Sequence, residues 1–125
     1  MTLVSRLAEA KTVQTPAATM RTVVSPSAGP DLPFAAWWTE LAQDVAGPTH
    51  TIDGDQLLVV IEGIVEVRVG DDLFTVPAGD AVKLPAHVTR VIHAVSGPAK
   101  TFTVGHPNAR ARVGEGEPVI VPWTA

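Results

Sequence analysis

Eleven prolines and ten glycines cut this 125-residue chain into short segments, and between them Val, Ile, Thr and Trp alternate with polar side chains. Turn-formers at such intervals separating two-residue periodicity define an all-β pattern. The clearest strand is Ile64–Val69, in which Val65, Val67 and Val69 share the face expected to point inward and Ile64, Glu66 and Arg68 share the other. Gly70-Asp71-Asp72 reads as a hairpin turn into a strand at 73–76, because Gly and Asp tolerate the positive φ of tight turns.

Other segments repeat the pattern. Pro77 to Asp80 is a second turn, and residues 81–84, 88–95 and 101–104 follow as strands. Upstream, 19–25 and 35–42 alternate likewise; with Glu40 and Trp38 outward, Trp37, Thr39 and Leu41 line the interior, and Trp37 becomes the aromatic wall of any cavity. Residues 57–61 are apolar on both faces, so one face fills a core and the other needs a second sheet or subunit, which makes a homodimer the expectation. Residues 1–17, with a short amphipathic helix around Leu3, Val4 and Leu7, read as an N-terminal arm, and 18–125 as one domain, in which 118–123 fold back onto the barrel.

A chain of this length buries roughly two thirds of its unfolded surface and needs no disulfide or metal staple. It has no cysteine, which removes thiolate nucleophiles and thiolate–zinc sites. The net charge of −4 without a basic cluster argues against nucleic acid, and no apolar run approaches the approximately 20 residues of a membrane helix. Residues 1–12 are interrupted by Arg6, Glu9 and Lys11 and hold no signal-like apolar core, so a cytoplasmic location is expected. The expected partner is a small neutral or anionic organic molecule. No nucleophile elbow, phosphate-cradling loop or dinucleotide fingerprint is present.

Two blocks carry the site. The first reads His50-Thr-Ile52-Asp53-Gly54-Asp55-Gln56, then Gly63; the second reads Gly79, Pro85, His87 and Arg90. His50, Ile52 and Gln56 lie at even separations, so without a bulge they share one face. Over about residues 35–105 these blocks resemble the two motifs of the cupins, in small single-domain form. The resemblance implies a double-stranded β-helix, or jelly-roll, barrel. In the family's pattern the first block is His-x-His, then Glu, then Gly; here His50 matches the first His, Ile52 stands at the second, Gln56 at the Glu, and Arg90 at the histidine of the second block.

Those departures bear on metal chemistry. Isoleucine has no donor lone pair, glutamine ligates weakly, and a guanidinium repels a cation. A metal-free site is therefore the first expectation. The alternative is a divalent transition metal on His50, Gln56 and His93, which requires a β-bulge between Arg90 and His93 to turn the latter inward. With the metal gone, Arg90 is suited to stabilising a carboxylate, phenolate or enolate and His50 to moving a proton, with Gln56, Trp37 and Asp53 contacting the substrate. Arg90 is equally suited to a structural ion pair with Asp53 or Asp55.

The chain is thus expected to bind a small molecule, as a metal-independent acid–base enzyme of isomerase, dehydratase or cyclase type acting on an enolisable or phenolic metabolite. The polyketide-tailoring cupins, which it resembles in size, illustrate the cyclase case. The alternatives are a metal-dependent cupin oxygenase or isomerase and a non-catalytic ligand-binding module.

Overall fold

The computed structural model describes residues 3–125. Twelve strands follow one another: β1 Thr12–Gln14, β2 Ala18–Val24, β3 Ala35–Leu41, β4 His50–Ile52, β5 Gln56–Glu62, β6 Ile64–Val69, β7 Asp72–Pro77, β8 Ala81–Leu84, β9 Arg90–Ala94, β10 Ala99–Gly105, β11 Arg110–Val113 and β12 Val119–Ile120. They form two six-stranded antiparallel sheets, ordered β1-β2-β3-β10-β5-β8 and β12-β11-β4-β9-β6-β7. The chain crosses repeatedly between them, giving a jelly-roll barrel whose inner faces meet.

Alternation places the core. On β5, Leu58 and Val60 turn inward; on β6, Val65 and Val67 do; on β8, Val82 and Leu84 complete the packing. Trp37, Thr39 and Leu41 of β3 are buried, whereas Glu40 is exposed and Trp38 half-buried against Phe102 on the outer face. The register follows the expected hydrophobic parity, because slipping β3, β6 or β8 by one residue would drive Glu40, Glu66 and Arg68, or Lys83 into the core.

Turns fall where residue type permits them. Gly70 has φ 59° in the β6–β7 hairpin and Gly79 φ 96° before β8. Gly63, between β5 and β6, is the most constrained: its φ is 83°, and a Cβ there would stand 2.8 Å from the Pro98 carbonyl oxygen.

The amino-terminal segment departs from expectation. In place of an amphipathic helix there is one 3-10 turn, Leu7–Glu9, with Leu3, Val4 and Leu7 exposed. Thr12–Gln14 pairs with β2 as an edge strand, so part of the expected arm belongs to the sheet. Backbone pairing with an available edge prevails over a three-residue apolar stripe that has nothing to pack against. The tail does fold back: β12 pairs with β11, and Val121 and Thr124 are buried. Thr124 Oγ1 accepts from Ala109 N and donates to Val121 O, fixing this return. Among the described residues no helix is long and apolar enough to cross a membrane.

Candidate functional site

A cavity of about 590 Å³ opens between the sheets at the end where β1–β2, β3–β4 and β12 meet. His50 and Ile52 of β4 and Gln56 at the start of β5 all line it, but not as one face of one strand: residues 53–55 form a loop that carries the chain from one sheet to the other, so His50 and Ile52 face the cavity from one sheet and Gln56 from the opposite one. Trp37 of β3 forms part of the wall, as expected of it. Gly105, opposite Ala35 at the end of β10, makes room for this arrangement: a Cβ there would lie 3.1 Å from Gln56 Cγ and 3.6 Å from the far edge of Trp37.

His50 is held in one tautomer. Its Nδ1 lies 2.8 Å from the carbonyl oxygen of Pro48, which can only accept, so Nδ1 carries the proton and Nε2 keeps its lone pair. Burial is the main cause that pushes the imidazole below the ordinary value of 6.5; the Pro48 bond opposes this, and the positive charge of Arg90 adds to it. The ring is thus a neutral base at neutral pH.

Arg90 begins β9, and its Cα is the antiparallel partner of His50. Antiparallel partners send their side chains to the same face, here the interior, and Arg90 is only 1% exposed. Nevertheless it does not line the cavity. Its Nη2 donates to the Pro85 carbonyl oxygen at 2.6 Å, in the connection between β8 and β9. Nε and Nη1 are buried without any partner. Among the described residues no carboxylate is close enough for an ion pair with it, so the structural pairing with Asp53 or Asp55 does not form. Burial lowers its pKa and the charge of Asp55 opposes that shift from a distance.

Asp53 lies elsewhere. It faces a separate hollow of about 260 Å³ with Thr51, Arg110 and Arg112, and its Oδ1 accepts a hydrogen bond from Arg110 N at 2.8 Å, with His106 Nε2 2.9 Å away. It sits one residue past β4, at odd spacing from His50 and Ile52, so alternation turns it outward. Its neighbour Gly54 has no room for a side chain, since a Cβ would meet the His106 ring at 1.9 Å. Asp55 Oδ1 accepts from Ala86 N at 2.8 Å. These contacts pin the loop that delivers Gln56.

The donor set does not fit a metal. β9 runs in unbroken register with β6, Val65 opposite Ala94 through Val69 opposite Arg90, and no bulge turns His93 inward; it pairs with Glu66 on the outer face. A His50–Gln56–His93 trio is therefore not assembled. Ile52 and Gln56 supply one apolar and one neutral side chain, and the residue paired with the one imidazole across the strands is a buried arginine whose charge acts on that ring. No three His, Cys, Asp or Glu side chains among the described residues are grouped to hold an ion.

Much of the cavity surface was not singled out by the two blocks. Met20 of β2, Ile92 of β9 and Trp123 of the tail all contribute. Trp123 was foreshadowed only by the expectation that the tail returns to the barrel.

No protein-family model matches the chain, and no curated protein matches it in sequence. Solved structures do. KdgF from a Halomonas species superposes with a TM-score of 0.73 at 18% identity, covering 86% of this chain and 94% of that one. An RmlC-like cupin from Shewanella frigidimarina gives 0.73 at 17%, covering 86% and 92%, and a cupin 2 domain-containing protein from Halorhodospira halophila gives 0.71 at 18%, covering 84% and 70%. The fold of this chain is that of the cupins.

Proposed function

We propose that this protein binds a small organic molecule in the barrel and transfers a proton on it without a metal, an acid–base reaction of isomerase, dehydratase or cyclase type on an enolisable or phenolic compound. One observation carries the reading: an imidazole locked with Nε2 free in an apolar cavity, on the strand residue that pairs with a buried arginine having two unused donors. Nε2 of His50 accepts the proton from a carbon next to a carbonyl or from a phenolic oxygen and later returns it. Gln56 orients the substrate by its amide.

Arg90 acts through its field. The positive charge that adds to burial in keeping His50 neutral also favours negative charge growing on a substrate oxygen held at His50, and fixed charges of a low-dielectric barrel do this without solvent reorganisation. The contact between Arg90 and a substrate carboxylate expected from sequence is replaced by this longer-range role, because the guanidinium is committed to Pro85.

Substitution tests the reading. His50→Gln and Arg90→Met each remove catalysed solvent-hydrogen exchange into an enolisable ketone while the protein stays folded; undiminished exchange in both would refute it. The metal-dependent rival requires stoichiometric Fe, Ni, Mn or Zn in protein purified without chelator, and restoration by added metal. The binding-module rival requires tight ligand binding with no exchange under any condition. We further propose a homodimer through the outer face of β5, where Leu57 and Ile61 are 43% and 40% exposed and lie on the same side as the tilted aromatic pair Trp38 and Phe102.

A further inference from the structure

The walls of the cavity limit what can occupy it. Ile52, Ile92, Leu41 and Met20 supply aliphatic and thioether surface, and Trp37 and Trp123 supply two aromatic faces. Apart from the two indole N–H groups, only Thr15, His50 and Gln56 bring hydrogen-bonding side chains, and Thr15 is already tied to Ala18. His50 and Gln56 therefore hold almost all the free polar recognition in a space of about 590 Å³, within the range of roughly 300–1,000 Å³ that accommodates a drug-sized molecule.

A second observation concerns the mouth. Val45, Val113, Val119 and Ile120 line the cavity and are also 37%, 56%, 65% and 40% exposed. Val113 is the strand partner of His50, so the apolar rim begins on the strand beside the proton-transfer group. Four large apolar side chains left in water around one opening form a collar that extends the hydrophobic wall outward. A polyhydroxylated ligand entering here would exchange its hydrogen bonds to water for contacts with hydrocarbon, at a net loss.

Resting on the proton-transfer reading, we propose that the substrate is a predominantly apolar molecule of fused-ring or branched-hydrocarbon type with a single acidic or enolisable oxygen at one end. That oxygen meets His50 and Gln56, and the hydrocarbon fills the space between the tryptophans and the collar. Sugars, sugar acids and short dicarboxylates are not held.

Calorimetric titration of the full chain with 2-naphthoate and with galacturonate tests this, since both are carboxylates and only one is apolar. The expected result is one molecule of 2-naphthoate per chain, at least tenfold tighter than galacturonate, and weakened at least fivefold by the double substitution Val113→Asn and Val119→Asn. Both positions are exposed, so the variant is expected to fold. Equal or tighter binding of galacturonate, failure of 2-naphthoate to bind, or indifference to the rim substitutions would overturn the proposal. Exchange of the α-hydrogens of 2-tetralone in deuterated water, followed by proton NMR, separates the two readings. Naphthoate binding without tetralone exchange upholds the ligand class and removes the acid–base reading; exchange together with preference for galacturonate does the opposite.

Discussion

Replacing Arg90 with Met separates function from stability in a way few core substitutions do. The wild-type guanidinium is 1% exposed, makes one hydrogen bond, from Nη2 to Pro85 O, and leaves Nε and Nη1 bare. Each buried orphan donor costs about 1–3 kcal/mol, and the charge-assisted bond to Pro85 returns about 1.5–3 kcal/mol. Pro85 is exposed, so its carbonyl is rehydrated once the arginine is gone. Methionine fills much of the vacated path with a flexible apolar chain and strands no polar atom. The balance favours Arg90→Met by about 2 kcal/mol, in line with the roughly 1–4 kcal/mol gained when other buried ionic groups are replaced by apolar ones. For a domain of this size that raises Tm by roughly 6–10 °C. Urea unfolding and a thermal melt measure it, alongside the exchange assay, in which the variant loses activity. Arg90→Ala keeps the electrostatic change but adds a void, and falls below Arg90→Met by about 2–5 kcal/mol. If Arg90→Met were instead destabilised by more than about 2 kcal/mol, the guanidinium would be a satisfied structural group and its assignment to catalysis would lose its basis.

The other predictions are simpler. Because the folded-state pKa of His50 lies below its ordinary 6.5, the unfolded chain binds the extra proton first; the associated stability is whole above 6.5 and is lost as pH falls through the folded value. Urea midpoints measured from pH 7.5 downward therefore decline less steeply in His50→Gln than in wild type, and the exchange rate of wild type declines over the same acidic range. Gly63→Ala combines φ 83° with a Cβ 2.8 Å from a backbone oxygen and costs upward of about 2 kcal/mol, read from the urea midpoint. Leu57→Lys on the outer face of β5 converts the proposed dimer to monomer in sedimentation equilibrium without lowering Tm by more than a few degrees; a wild-type monomer at micromolar concentration would dismiss the dimer.

The barrel was legible in sequence because its signals are local. Val65 and Val67 alternate against Glu66 and Arg68, Gly70 and Gly79 occupy left-handed turns, and the parity that sends Trp37 inward and Trp38 outward needs only a period of two. The first block was legible only in part: alternation places His50 and Ile52 on one face of β4, whereas Gln56 reaches the same cavity from the opposite sheet by way of the loop at 53–55. What failed to show depends on contacts that a period of two does not encode. The direction of the Arg90 head group is set by the Pro85 carbonyl in the β8–β9 connection, and a side chain that long cannot be aimed by alternation alone. Asp53 was drawn toward the site by nearness in sequence, but its partners, His106 and Arg110, arrive from strands and loops more than fifty residues later. Trp123 and β12 close the cavity from the far end of the chain, where a two-residue strand leaves almost no periodicity to read.

The substitution pattern also bounds the chemistry. A metal ion offers charge together with open coordination positions, so it can bind two reactants at once and exchange them. A guanidinium offers charge alone, through fixed donors, and cannot be deprotonated to serve as a base. Where the resemblance to cupins would put two metal ligands, this chain has Arg90 and Ile52, so the charged and basic groups at hand are one stationary cation and one neutral imidazole. Such a pair is competent where negative charge gathers on a single oxygen while one proton leaves a neighbouring atom. The apolar walls enlarge the effect once a bound molecule displaces water, because the field of Arg90 is then weakly screened at His50, the proposed proton-transfer group.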